Sequence, residues 1–167
     1  SFAGNSILKH ITIPDSVTEI GEYAFSDCES LTEISLPSSL EVINDYLFKG
    51  CTSLTIIKIP NSVIKIGCYC FNNCTSLTQI LLPPNLEEIG DHSFDNCESL
   101  IQIAIPNSIK KISSFLFNSC NKMTLISLPS SIEEIGVNSF RSCSLLEQIS
   151  LPVSITLIDK YTFTECE

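Results

Sequence analysis

Cysteine recurs at Cys28, Cys51, Cys74, Cys97, Cys120, Cys143 and Cys166, always 23 residues apart. Proline keeps the same interval from Pro14 to Pro152, and phenylalanine from Phe2 to Phe163. A fixed period of this length means that each unit is too small to bury its own apolar face and must stack on its neighbour. The architecture is therefore a solenoid. Chemistry is left almost open.

Read from each cysteine, the unit is C-x-x-L-x-x-I-x-L-P-x-S-L-x-x-I-G-x-x-x-F-x-x. The middle copy supplies Cys74, Leu77, Ile80, Leu82, Pro83, Leu86, Ile89, Gly90 and Phe94. Leu77, Ile80 and Leu82 make the L-x-x-L-x-L pattern of a strand that lines one face of a leucine-rich solenoid. Alternation along that strand turns Ile80 and Leu82 inward and Gln79 and Leu81 outward. The following proline has no N–H, so the strand ends there. A second apolar pair, such as Leu86/Ile89, closes the other side and allows a second short parallel strand. The residue after it (Gly21, Asn44, Gly67, Gly90, Ser113, Gly136, Asp159) suits a tight corner. From that corner to the cysteine, the spacing predicts one turn of 3₁₀ or α structure that drops its phenylalanine into the core.

The repeat resembles the BspA-like, or treponemal-type, leucine-rich repeats, whose unit runs L-x-x-I-x-L-P-x-S-L-x-x-I-G-x-x-A-F-x-x-C. Residues 17 to 40 alone carry it: Val17, Ile20, Gly21, Ala24, Phe25, Cys28, Leu31, Ile34, Leu36, Pro37, Ser39 and Leu40. Departures are few. Asn5 stands for the first cysteine, Met123 for a leucine, and Leu47, Cys70 and Leu116 for the alanine before phenylalanine. The expected fold is an α/β-type repeat solenoid of about seven coils, with a parallel inner β-sheet and 3₁₀ or helical turns on the back.

No stretch breaks the period, so residues 1–167 are expected to form one domain. Neither end carries a polar cap of the kind solenoids use, which predicts a piece of a longer protein and open rungs able to pair end to end with another copy. The formal charge of −10 argues against nucleic acid and anionic membrane as partners. Most carboxylates fall on the corners and the back (Glu22, Asp45, Glu87, Glu88, Asp91, Glu133, Glu134), where they solvate the surface rather than steer a ligand. On the back, Glu87/Glu88, Lys110/Lys111 and Glu133/Glu134 alternate in sign on successive rungs and predict ion pairs between coils.

Nine cysteines invite a metal or disulfide reading. His10 and His92 lie rungs apart and no pair of cysteines opposes another, so no metal site is expected. Parallel Cβ vectors disfavour bridges between stacked cysteines. Each column cysteine reads as a buried small hydrophobe with a weak S–H donor. Cys70 fills a small packing slot. Cys68 is the one thiol expected near solvent, and with His92 one rung away a Cys–His pair is conceivable. No orienting third group or oxyanion site accompanies it, so no catalytic residue and no cofactor is assigned. Asn73-Cys74-Thr75 fits a glycosylation sequon with cysteine in the middle.

Two surfaces remain. The inner strands expose one column of His10, Glu33, Ile56, Gln79, Gln102, Leu125 and Gln148, and another of Thr12, Ser35, Lys58, Leu81, Ala104, Ser127 and Ser150. An apolar centre among polar neighbours is the pattern of a protein-binding patch, although isolated surface aliphatics are common. Glu33, Ile56, Lys58, Gln79, Leu81, Gln102, Ala104 and Leu125 are the candidate contact residues. The second surface is a column of Tyr23, Tyr46, Tyr69, His92, Phe115 and Tyr161, broken by Asn138; it could grip a partner or pack over the neighbouring coil. The resemblance implies a non-catalytic adhesion module, secreted or on the surface of a mucosal bacterium or an anaerobic protist, facing a host matrix or cell-surface protein. An intracellular protein-interaction scaffold of the same fold is the alternative, and free thiols suit a reducing compartment.

Overall fold

The structure, a computed structural model, describes residues 1–166. Its twelve strands are short because each coil has only 23 residues to turn full circle. The inner wall is made of three-residue strands: β1 (His10–Thr12), β2 (Glu33–Ser35), β4 (Ile56–Lys58), β6 (Gln79–Leu81), β8 (Gln102–Ala104) and β10 (Leu125–Ser127). The opposite wall is made of two-residue strands: β3 (Val42–Ile43), β5 (Lys65–Ile66), β7 (Glu88–Ile89), β9 (Lys111–Ile112), β11 (Glu134–Ile135) and β12 (Leu157–Ile158). All pairing is parallel and in register, so Ile56 lies beside Gln79 and Lys58 beside Leu81. Each wall therefore has six rungs, not the seven coils expected; the segment around Gln148 to Ser150 forms no strand.

The third side is neither 3₁₀ nor α. Among the described residues there is no helix. The reason lies in the amides. Tyr23, Phe25 and Asp27 donate their N–H groups to Asp45, Leu47 and Lys49 of the next coil at 3.4, 3.1 and 2.6 Å. The alternate N–H groups of Ala24, Ser26 and Cys28 close tight turns onto Gly21, Tyr23 and Phe25. A helix would need all of these donors within the coil. Sending every second one outward requires left-handed backbone, and Tyr23 and Asp27 both sit at φ 57. Equivalent pairs recur along the stack, including Tyr69 with Asn73 and His92 with Asn96. Left-handed non-glycine residues are disfavoured by about 1 kcal/mol or more each, and the inter-coil bond offsets that cost.

Inside, the phenylalanines stack from Phe2 to Phe163 with centroids 5.3–5.9 Å apart. Phe48 to Phe140 are fully buried, a burial that contributes about 1.5–3 kcal/mol per ring. Each column cysteine donates its thiol to the carbonyl of the phenylalanine one coil back, from Cys28 to Phe2 at 3.2 Å through Cys166 to Phe140 at 3.0 Å. The serine of P-x-S acts similarly: Ser62 and Ser131 Oγ reach the carbonyls of Leu40 and Ile109 at 2.6 and 2.7 Å.

The walls are not continuous. The inner wall divides into the pairs β1–β2, β4–β6 and β8–β10, and the outer wall into β3–β5–β7 and β9–β11–β12. The corner residue explains the outer division. Gly67, Gly90, Gly136 and Asp159 donate their main-chain N–H to the isoleucine carbonyl of the preceding coil at 2.8–2.9 Å. At Ser113 the hydroxyl takes the Ile89 carbonyl instead, and at Asn44 the Nδ2 amide takes that of Ile20 at 2.7 Å. A side-chain donor displaces the ladder bond; glycine and ionised aspartate have none to offer. Of the expected charge ladder Lys111–Glu134 forms (3.3 Å), whereas Glu88 pairs with Lys65 (3.1 Å), a partner outside that ladder; each pair lies within one part of the wall. The Glu88–Lys111 step falls on the division and makes no such pair.

Gly90 matters for closeness rather than for backbone sign. A Cβ there would lie 2.5 Å from the Cys68 nitrogen and 2.7 Å from the Gly67 carbonyl carbon, whereas at Gly21 it would meet nothing within 4 Å. Gly90→Ala is expected to lower stability by about 2 kcal/mol or more, and Gly21→Ala to be neutral or stabilising by about 0.5 kcal/mol. Chemical denaturation of the two variants checks this; equal losses would contradict the close approach.

Candidate protein-binding face

Every candidate contact residue projects to solvent, because a strand with a buried middle residue must expose its two ends. Ile57, Ile80, Ile103 and Ile126 are buried, and their neighbours Ile56, Lys58, Gln79, Leu81, Gln102, Ala104 and Leu125 are exposed, as is Glu33 in β2. Ile56, Leu81 and Leu125 keep 51, 54 and 57 % of their surface, far more than an aliphatic side chain needs to give up in a packed fold. Register decides how they relate. Ile56 faces Gln79 and Leu81 faces Lys58, so the two aliphatics are diagonal neighbours, about 8 Å apart from the rung spacing and a two-residue step. Ala104 sits one rung further in the same column as Leu81, and Leu125, opposite Gln102, is diagonal to it. The four apolar residues thus form one shallow arc over four successive rungs, from Ile56 across to Leu81 and Ala104 and back to Leu125, curving around Gln79 and Gln102 with Lys58 beside Leu81.

Two shallow depressions lie on this face. One lies between β2 and β4, lined by Glu33, Ser35, Ile56, Lys58, Pro60 and Asn61. The other spans β6, β8 and β10 and includes Gln79, Leu81, Gln102, Ala104 and Leu125. Both cross the places where the inner wall is interrupted, since strands that lose ladder bonds leave room between their side chains. Charge is sparse: His10 and Glu33 approach at 3.7 Å, and Lys58 stands beside Leu81. One apolar residue escaped the sequence reading. Ile101, just before β8, is 48 % exposed and interrupts a column of Thr32, Thr55, Thr78 and Thr124. Thr32 and Thr78 bond the main chain of the preceding coil through Oγ1; Ile101 has no group to do so. Its signal was a break in a column that alternation counts as inward-facing.

The thiol–imidazole reading fares differently. The His92 ring is sandwiched between Tyr69 and Phe115, with centroids 4.4 Å away on each side. Its Nδ1 lies 2.9 Å from Asp95 Oδ2. Asp95 is buried and also accepts from Asn118 Nδ2 at 2.8 Å. Cys68 is half-buried, and burial first, then the carboxylates of Asp45, Asp91 and Glu88, push its thiol up. A nucleophilic cysteine needs the opposite shift. The column thiols are more inert still: burial pushes Cys51 and Cys143 up to about 12, and Cys74, Cys97 and Cys120 well above the ordinary value. At the sequon, Asn73 is left-handed and its Nδ2 contacts Asn72 Oδ1 at 3.3 Å, while Cys74 is fully buried. Among the described residues no three His, Cys, Asp or Glu side chains gather as a metal cage.

The sequence pattern of the BspA type leucine rich repeat region matches in six copies, over residues 1–100 and 41–167. A leucine-rich repeat protein from Bacteroides ovatus is 35 % identical with a TM-score of 0.90, over 94 % of this chain and 41 % of its own. The T. pallidum leucine rich repeat protein is 34 % identical with a TM-score of 0.83, over 88 % of this chain and 69 % of its own. A leucine rich cell surface protein from Faecalibacterium prausnitzii is 27 % identical with a TM-score of 0.62, over 99 % of this chain and 53 % of its own. The chain thus spans less than half the length of the Bacteroides protein. No curated protein sequence matches it.

Thiol burial yields a count. Cys68 and Cys166 are half-buried and the other seven cysteines are buried. A thiol reagent at mildly alkaline pH is expected to modify two thiols in the native protein and the other seven only in denaturant. A native count well above two would contradict the closed column.

Proposed function

The chain belongs to the BspA-type leucine-rich repeat family, and from that membership we propose that it is a non-catalytic protein-binding module. Its contact surface is the inner face centred on Ile56, Leu81, Ala104 and Leu125, rimmed by Glu33, Lys58, Gln79 and Gln102. The observation that carries this reading is the single arc of exposed aliphatics over four successive rungs. An apolar centre of this kind, with glutamines and one lysine around it, suits a partner that brings its own apolar residues and few charges. Its setting is the cell surface, with a host matrix or cell-surface protein as partner. Membership of the family and the Faecalibacterium relative, a cell surface protein, support that setting. The cysteines do not favour an intracellular scaffold instead, because seven of the nine are closed off from oxidants and tolerate either compartment.

The test is a double substitution, Leu81→Asp with Leu125→Asp. Both side chains are exposed, so the melting temperature is expected to move by no more than about 2 °C. Retention of solubilised matrix or epithelial-surface protein by the immobilised chain should fall at least about ten-fold, as loss of central interface anchors does. Undiminished retention would sink the assignment.

A further inference from the structure

The corner aromatic column holds a second recognition feature. Tyr23, Tyr46, Tyr69, His92 and Phe115 stack face to face, with centroids 4.4–4.9 Å apart and planes within 10° of parallel. The ladder lapses at Asn138 and resumes at Tyr161. The backbone does not change where the ring is missing. Asn138 has φ 53, against 55 for Phe115 and 61 for Tyr161, and donates its N–H to the Lys160 carbonyl as Phe115 does to Val137. Its Cβ therefore leaves the coil in the direction of the rings above and below, but the amide stops short of the space a ring would fill. Phe115 and Tyr161 are two rungs apart, about 9.6 Å, which is twice the observed ring spacing. Between them lies a slot one aromatic ring thick. One face of Phe115 is covered by His92 and the other looks into the slot. Tyr161 is 61 % exposed, more than the 45 % of Tyr23.

We propose that this slot, walled by Phe115 and Tyr161 and floored by Asn138, takes a tyrosine side chain from a partner protein. The chain's own rings show what fits, since in five other coils the same space holds a planar ring stacked on both neighbours or on one. A nucleotide would bring phosphate to a chain of net charge −10. Tyrosine suits the floor, where the Asn138 amide offers donors and an acceptor to a phenolic hydroxyl. A cation stands at the rim: Arg141 follows Asn138 by three residues, as Lys49 follows Tyr46 and lies 5.7 Å from that ring. Glu165 holds the Arg141 guanidinium at 2.9 and 3.2 Å. This surface is separate from the inner face and does not rest on it.

The chain has no tryptophan, so N-acetyl-tryptophanamide can be titrated by its own fluorescence. Its emission is expected to shift on binding, with N-acetyl-tyrosinamide competing and N-acetyl-leucinamide not. Asn138→Tyr, which closes the slot with a ring of the protein's own, should weaken the probe roughly ten-fold and raise the melting temperature by about 2–4 °C. Phe115→Leu removes one wall and should weaken the probe similarly. The proposal is overturned if the probe does not bind, if leucinamide competes as well as tyrosinamide, if both variants bind like wild type, or if Asn138→Tyr lowers the melting temperature. The Leu81→Asp, Leu125→Asp protein should bind the probe normally, so the inner-face assignment and this one can fail separately.

Discussion

Each coil holds the next through the main-chain N–H groups that the corner sends outward. Hydrogen bonds between short strands would leave two flat walls joined only at their edges. The left-handed residues at Tyr23, Asp27 and their equivalents add a third wall in which every second amide crosses to the next coil. Three walls of bonds hold successive coils in register, and that is why equivalent side chains stack over one another. The phenylalanine column, the thiol-to-carbonyl column and the aromatic corner all depend on that register.

Most of this register was legible. A 23-residue period, with leucine, proline, serine and phenylalanine in fixed places, specifies which side chains face inward, and the buried column from Cys28 to Cys143 follows it. The form of the corner was not legible. Glu22-Tyr23-Ala24-Phe25 has no glycine to announce positive φ, and tyrosine is an unusual residue to find there. Only the destination of the amides explains it, and a destination in another coil is invisible in a local stretch. The coil count failed for a related reason: the last repeat keeps its apolar residues but has no strand at Gln148 to Ser150. For the candidate face, alternation located Ile56, Leu81 and Leu125. Which of them are neighbours came from the register, and Ile101 came from the structure alone.

The cysteine column shows how a chemical-looking repeat can be a packing device. The thiol is small enough for the corner and supplies a donor to the phenylalanine carbonyl one coil back. Burial then holds it protonated, which removes both nucleophilicity and metal affinity.

Ser113 carries a mechanical consequence. By claiming the Ile89 carbonyl it divides the outer wall between β7 and β9, and the inner wall is interrupted at the same level, between β6 and β8. The corner wall is intact there: His92, Phe94 and Asn96 still donate to Ser114, Leu116 and Asn118 at 2.9–3.1 Å, and the His92–Phe115 stack spans the junction. A regular main-chain ladder thus joins the two blocks of coils only at the corner, while the Ile101 N–H and the Ser108 and Ser113 hydroxyls bridge the junction singly, reaching the Thr78, Leu86 and Ile89 carbonyls. The junction passes between Leu81 and Ala104, the middle of the apolar arc, so a partner seated there would clasp the two blocks across the place where both walls lack ladder bonds.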